Sequence, residues 1–287
     1  MSAFENVYVG VAGWSYEDWK DVVYPASEKN RLGYIAQFFD CVEINSSFYR
    51  PATQRMAEKW VQDVQENEAF MFSAKLYSRF THDFEKAYPD QAEVNQVKQG
   101  FQPLQAAGRL LTLLIQFPFY FRDSEKSRER LKRIATDFAE FPKSVELRDS
   151  SWAQPDALAF LREQGLNVVC LDMPLTRRSF REKAVTTGDI GYLRLHGRNY
   201  DAWFNKEAER DQRYNYLYSG KEMDFTVHRI EELSAAAEKT VVVWNNHFHG
   251  KAAVNALQTL SRLKGAPVDA PEPLQKAYPG ANGVGFR

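Results

Sequence analysis

Long apolar runs, paired cysteines, nucleotide-binding glycine patterns and an excess of one charge are all missing from this chain of 287 residues. Each absence removes a class of function. Lysine and arginine total 37 against 38 aspartates and glutamates, a formal net charge of −1. Dedicated nucleic-acid binders usually carry a basic surplus, so the balance argues against that class while leaving room for a local basic pocket. The two cysteines, Cys41 and Cys170, sit inside apolar strand-like segments, the setting of reduced, buried thiols. They form neither a disulfide framework nor a thiolate metal site. The apolar stretch around Leu110–Ile115 is far short of the roughly 20 residues that a membrane helix needs. The N-terminal MSAFENVYVGVAG shows no basic leader followed by an apolar core, so a cytoplasmic protein without a signal peptide is expected. The first strand–helix turn, GVAGWSYEDW, lacks the glycine spacing of a dinucleotide fingerprint, and no GxxxxGK phosphate cradle occurs. Internal repeats and low-complexity stretches are absent as well.

What is present is an ordinary globular composition, 44% apolar and 26% charged, in a length that suits one large domain. Eight short apolar segments recur: Val7–Val11, Cys41–Ile44, Phe70–Ala74, Leu110–Phe117, Ser144–Leu147, Asn167–Leu171, Gly191–Leu195 and Thr240–Trp244. Most are hydrophobic on both faces, as parallel strands covered by helices must be. Between them lie helical patterns. One starts after Thr53 as N-cap, with Met56, Trp60 and Val64 on one face. Another places Leu131, Ile134 and Phe138 at helical spacing. A third opens on Asp224, and a fourth closes on Gly265. The crossover from Leu171 to Gly191 offers at most a short, weak helix, and the segment from His196 to Asp224 reads as a long loop rich in Tyr, Asn and charge. Such loops over a barrel mouth are more often functional than incidental. The expectation is an α/β fold, a single (β/α)8 TIM-type barrel over residues 1–264. An irregular tail, 265–287, would pack on the barrel or trail from it.

In parallel barrels the carboxyl ends of the strands build the active site, so the residues there are the candidates. The first strand runs into Trp14 and Tyr16, and the second carries Glu43 and Asn45 and is followed by Arg50. The third ends at Lys75 and the fourth at Gln116. The fifth carries Glu146 and Arg148, and the sixth ends at Asp172. The seventh gives Arg194, His196 and Arg198, and the eighth Asn245 and Asn246. Residues two apart on a strand share a face, which pairs Glu43 with Asn45, Glu146 with Arg148, and Arg194 with His196. Each of these residues has an ordinary structural role available, an ion pair for the charged ones and core packing for the tryptophans. His82 reads as a loop residue satisfying local backbone. Convergence at one rim favours function, because desolvating so many charges is costly without a ligand or partner. Glu43, Lys75, Glu146 and His196 are expected to open into one shared cavity.

The blocks VGVAGWSYEDWKDVVYP, FFDCVEINSSFYRPAT, FMFSAKLYSRFTHD, LIQFPFYF, VELRDSSW, YLRLHGR and VVVWNNHFHGKAAVNA run in order from Val9 to Ala256. In them the sequence resembles the YecE-like family, a domain of unknown function also labelled sugar isomerase-related. The resemblance implies a TIM-type barrel. Xylose-isomerase-like barrels of similar shape hold divalent metal with carboxylates and histidine at strand ends. Here Glu146, Asp172 and His196 would be the comparable set, but Asn245 and Asn246 stand where that pattern supplies another carboxylate. No metal and no cofactor are therefore expected.

These readings favour an enzyme for a small polar substrate, anionic or sugar-like. Glu43, Glu146, His196 and Lys75 would carry acid–base chemistry. Arg148, Arg194 and Arg198, with Lys75, would bind an anionic group. Gln116, Asn45 and Asn246 would orient hydroxyls, and Trp14 and Tyr16 would stack on a sugar face. Arg50, Asp172 and Asn245 complete the substrate-binding set. One alternative is a nucleic-acid enzyme of the apurinic-endonuclease kind, using Arg198, Tyr200, Trp203, Arg210 and Arg213 in the long loop. Asp201, Glu207, Glu209 and Asp211 in that loop oppose it. The other alternative is a non-catalytic metabolite-binding barrel.

Overall fold

The computed structural model describes residues 4–83, 86–181, 184–205 and 207–281. Eight strands, β1 (Val7–Ala12), β2 (Cys41–Ile44), β3 (Met71–Lys75), β4 (Leu110–Gln116), β5 (Lys143–Glu146), β6 (Asn167–Asp172), β7 (Ile190–Leu195) and β8 (Lys239–Trp244), close into one barrel in sequence order. Every neighbouring pair is parallel, and β8 closes the ring on β1 with Val7 opposite Thr240. The β1–β2 contact is tight enough to need glycine. A Cβ on Gly10 would lie 1.8 Å from the Cys41 carbonyl oxygen.

The helices are α1 (Arg31–Ile35), α2 (Ser46–Tyr49), α3 (Gln54–Asp63), α4 (Gln91–Ala106), α5 (Glu125–Asp137), α6 (Pro155–Glu163), α7 (Tyr200–Phe204), α8 (Gly220–Ala236), α9 (Lys251–Lys264) and α10 (Glu272–Ala277). Thr53 caps α3 through the Met56 amide, and Gly265 ends α9 in the left-handed conformation, both as the sequence suggests. Other boundaries move. Helix α8 begins four residues before Asp224, because Ser219 and Glu222 form a reciprocal capping box there. Helix α4 is not among the helical patterns read from the sequence, although Val94, Val97, Phe101 and Leu104 form a buried stripe at helical spacing. No helix forms between β6 and β7 among the described residues, so even a short one is more than this crossover holds. Thr187 braces it instead, accepting from the Val168 amide at 2.8 Å and donating to the Leu166 carbonyl. Within the tail beyond Gly265, α10 forms over Glu272–Ala277, anchored by fully buried Leu274, and residues 282–287 lie outside the described residues. No helix among the described residues is long and apolar enough to cross a membrane.

Alternation sorts each strand into two faces. The outer set packs under the helices in the larger core, with Val42, Ile44, Leu193, Leu195, Val242 and Trp244. The inner set includes Cys41, Val169, Leu171, Tyr192, Val241 and Val243. The barrel interior is partly polar. Thr112 and Ser144 hydroxyls meet at 2.9 Å, and Ser73 meets the Tyr192 hydroxyl at 3.0 Å.

Candidate active site

Above that polar layer the lumen is closed by a buried ionic floor. Glu43 and Glu146 are fully buried and Arg194 is 1% exposed. Arg194 donates from Nε to Glu43 Oε2 at 2.8 Å, from Nη2 to Glu43 Oε1 at 2.6 Å, and from Nη1 to Glu146. Arg148, two residues beyond Glu146 on the same face, places Nε and Nη2 on Glu146 Oε1 at 2.8 and 2.6 Å. The Tyr192 hydroxyl donates to Glu43 Oε2 at 2.7 Å. Two carboxylates and two guanidiniums thus cancel in charge, and each carboxylate accepts several charged or hydroxyl bonds. Buried ions persist only when paired in this way. Burial works against the ionised form of Glu146, yet Arg194 and Arg148 outweigh it and hold the carboxyl below its usual range.

A cavity of about 470 Å³ opens over this floor. One side is built by Lys75 at the end of β3, with its ammonium nitrogen 3.9 Å from the Phe48 ring centroid, and by His82 edge-on to Phe48 at 4.9 Å. Burial, aided by Arg194, lowers Lys75 from 10.5 to about 7, and burial with Lys75 nearby lowers His82 to about 4. The other side is aromatic. Tyr16 stacks on His247 at 4.4 Å and 6°, and Tyr214 packs on the same imidazole at 4.9 Å. His196, from the end of β7, meets the Asn245 amide at 2.9 Å and has Nε2 3.9 Å from Glu146. Burial and Arg194 keep its imidazole neutral, with its pKa well below the ordinary value. Asn45, Gln116 and Asn245 add amide groups to the lining. Two glycines shape the rim. Gly13, at φ 77°, lets Tyr16 fold back and donate to the Ala12 carbonyl at 2.5 Å. Gly197, at φ 89°, turns the chain off β7 where a Cβ would meet Tyr216 at 2.8 Å.

A family model described as "Protein of unknown function DUF72" matches residues 8–277. The chain belongs to the DUF72 family. It is 29% identical over 272 residues to UPF0759 protein YunF of Bacillus subtilis, covering 90% of this chain and 94% of that one. The crystal structure of a DUF72 family protein from Thermotoga maritima superposes with a TM-score of 0.80 at 34% identity, over 90% of this chain and 99% of the other. A second DUF72 structure, from Enterococcus faecalis, gives 0.78 at 26% identity, over 93% and 98%.

Of the candidates read from the sequence, this DUF72 barrel brings Tyr16, Asn45, Lys75, Gln116, Arg148, Arg194, His196 and Asn245 to one cavity. Glu43 and Glu146 point the same way but lie beneath it, tied to arginine. Asp172 does not join them. It faces outward from β6, where it accepts from Arg198 Nε and Nη2 at 2.8 and 2.7 Å, Tyr218 at 2.8 Å and Arg229 at 3.1 Å. Arg198 is thereby drawn to the helix side as well, and also bonds Glu222 at 2.9 Å. Asn246 faces outward from the end of β8 and donates to the Tyr216 carbonyl and to Asn255. Trp14 packs edge-on against Trp60 at 6.1 Å, in a groove outside the cavity, and Arg50 is exposed after α2 and does not line it. The set Glu146, Asp172 and His196 is split by the same parity. Among the described residues no three His, Cys, Asp or Glu side chains converge as metal ligands.

The arginines expected to hold an anion are already occupied by carboxylates. In the loop after β7, Trp203 lies 6.0 Å from His196 and Asp211 joins the cavity lining, while the side chain of Arg210 lies outside the described residues. Sequence reading gave no role to His247 and Phe48 at the strand ends or to Tyr214 in the long loop, and set His82 aside. His247 carried a signal, since it follows Asn245 by two residues and so shares its face.

Proposed function

We propose that this DUF72 barrel is an enzyme for a small hydroxyl-bearing, sugar-like molecule, bound over the ionic floor and worked on by proton transfer through Lys75 and His196. One observation carries the reading. Among the described cations that line the cavity, Lys75 is the one lysine or arginine with no carboxylate within ion-pair distance, and it stands beside the Phe48 ring above the paired charges of the floor. A lysine so placed supplies a neutral amine near pH 7, the form that acts as a base. The amides of Asn45, Gln116 and Asn245 suit hydroxyl groups, and the Tyr16 and Tyr214 side suits the apolar face of a sugar ring. Glu43 and Glu146, expected from the sequence as an acid–base pair, act here by fixing Arg194 and Arg148. Charge balance in the floor favours a neutral or singly anionic substrate over a polyphosphate. The reading keeps the protein in the cytoplasm, in line with two buried cysteines that form no disulfide, and includes the YecE-like, sugar isomerase-related likeness of its sequence blocks.

The test is a thermal-shift series with neutral sugars, sugar acids, phosphosugars and abasic-site DNA on wild type and Gln116→Ala. Stabilisation by neutral sugars or sugar acids, reduced in the variant, is the expected result; a ligand at a hundredfold excess over Kd adds about 2.7 kcal/mol. Stabilisation by abasic DNA alone would replace this reading with a nuclease.

A further inference from the structure

We propose that Lys75 is a nucleophile whose Nζ adds to the carbonyl carbon of a small hydroxy-aldehyde or hydroxy-ketone, forming a lysine imine in the cavity. The inference rests on the cavity being a small-molecule site, as argued above, and goes further by naming the reacting atom and the substrate's functional group. Its basis is geometric. The strand end of β3 delivers Nζ into the cavity, and no carboxylate holds it there. The Phe48 ring, 3.9 Å away, offers a π face to a cationic nitrogen without bonding to its lone pair. Burial together with a nearby cation, here Arg194, is the setting that activates lysine for carbonyl chemistry.

The step balances without an oxidant, reductant or metal. The amine lone pair forms the C–N bond as the carbonyl π pair moves onto oxygen. One nitrogen proton then passes to that oxygen, giving a carbinolamine. A proton added to the hydroxyl lets the C–O bond break and water leave, while the nitrogen lone pair closes the C=N bond to give the iminium; its remaining N–H proton then returns to the base that had supplied the first. The sum is amine plus carbonyl giving imine plus water. His82 and His196, both held neutral in the same cavity, are the proton acceptors for whatever follows at the neighbouring carbon.

The full chain is treated with glycolaldehyde and sodium cyanoborohydride at pH 7, and the modified lysines are located by peptide mass mapping. At that pH about half of the Lys75 side chains are neutral against roughly three in ten thousand for an ordinary lysine, so after steric losses labelling at least about tenfold faster is expected. Exposed Lys59 and Lys86 serve as internal standards. Labelling of Lys75 no faster than theirs overturns the imine. A parallel arm uses erythritol, which has hydroxyls but no carbonyl. If erythritol stabilises wild type and not Gln116→Ala while Lys75 labelling is unselective, the imine falls and the cavity reading stands. If neither labelling nor stabilisation is seen, both fall.

Discussion

Titrating Lys75 tests the electrostatics of the cavity most directly. Its ammonium faces Arg194 and Arg148 as like charges, Glu43 and Glu146 as opposite ones, and His82 across the cavity, all in a setting that has shed water. Lowering from 10.5 to about 7 at 1.36 kcal/mol per unit sets a ceiling of about 5 kcal/mol, and the partial exposure of Lys75 reduces this to roughly 2 kcal/mol. The sign follows from proton counting. Below pH 7 both folded and unfolded chains carry the ammonium, and the folded state bears its full cost. Between about 7 and 10.5 the unfolded chain binds one more proton than the folded chain, so stability rises with pH. Lys75→Met is therefore expected to stabilise the protein by about 2 kcal/mol at pH 6 and by less than half of that at pH 9. Urea unfolding at the two pH values measures the difference, and the Cε resonance of labelled lysine reports the titration itself. A Cε midpoint near 10, with a variant effect independent of pH, would refute the argument.

Other outcomes follow from the floor and the rim. Arg194→Met leaves Glu43 and Glu146 buried with too little positive charge and should cost about 3–5 kcal/mol in urea unfolding; a loss under 1 kcal/mol would mean the carboxylates find water instead. Glu146, with its pKa lowered in the folded state, contributes stability that is present above its unfolded value and is lost as pH falls below it. Glu146→Gln should accordingly flatten the acid limb of the Tm–pH profile, and an unchanged limb would count against the pairing. Asp172→Asn should lower Tm through the Arg198–Arg229–Tyr218 cluster while leaving sugar-induced stabilisation intact, since that cluster lies outside the cavity. Gly197→Ala forces a Cβ into Tyr216 at a left-handed position and is expected to cost more than about 1 kcal/mol.

The barrel was legible because its strands announce themselves: TVVVW and NVVCL are largely apolar on both faces, as helix-covered parallel strands must be. The rim was legible for the same reason, since strand ends are fixed once strands are. Parity was the weak point. Asp172 and Asn246 sit at strand ends like Glu146 and Asn245, yet they fall one residue out of phase and turn to the helices. Partners were harder still. Glu43 and Arg194 lie 151 positions apart, and nothing in the local sequence says that an arginine assigned to a ligand is consumed by a glutamate of another strand. Helix α4 was left unread although its buried stripe has helical spacing, and the start of α8 was lost to a capping box outside the apolar pattern.

The stretch from β6 to β7 gives the ring an uneven wall. Elsewhere a helix covers the crossover between strands, but here none forms among the described residues, and Thr187 and Asn167 clasp the Leu166, Val168 and Ile190 backbone. Two side chains make a narrower seam than a helix face. Breathing motions should therefore begin in this quarter of the barrel, and its amides should exchange with deuterium ahead of those on the β8–β1–β2 side, where α9 lies flat against the strands. Since β7 carries Arg194 and leads into His196, motion that begins in this crossover reaches the strand that holds up the cavity floor.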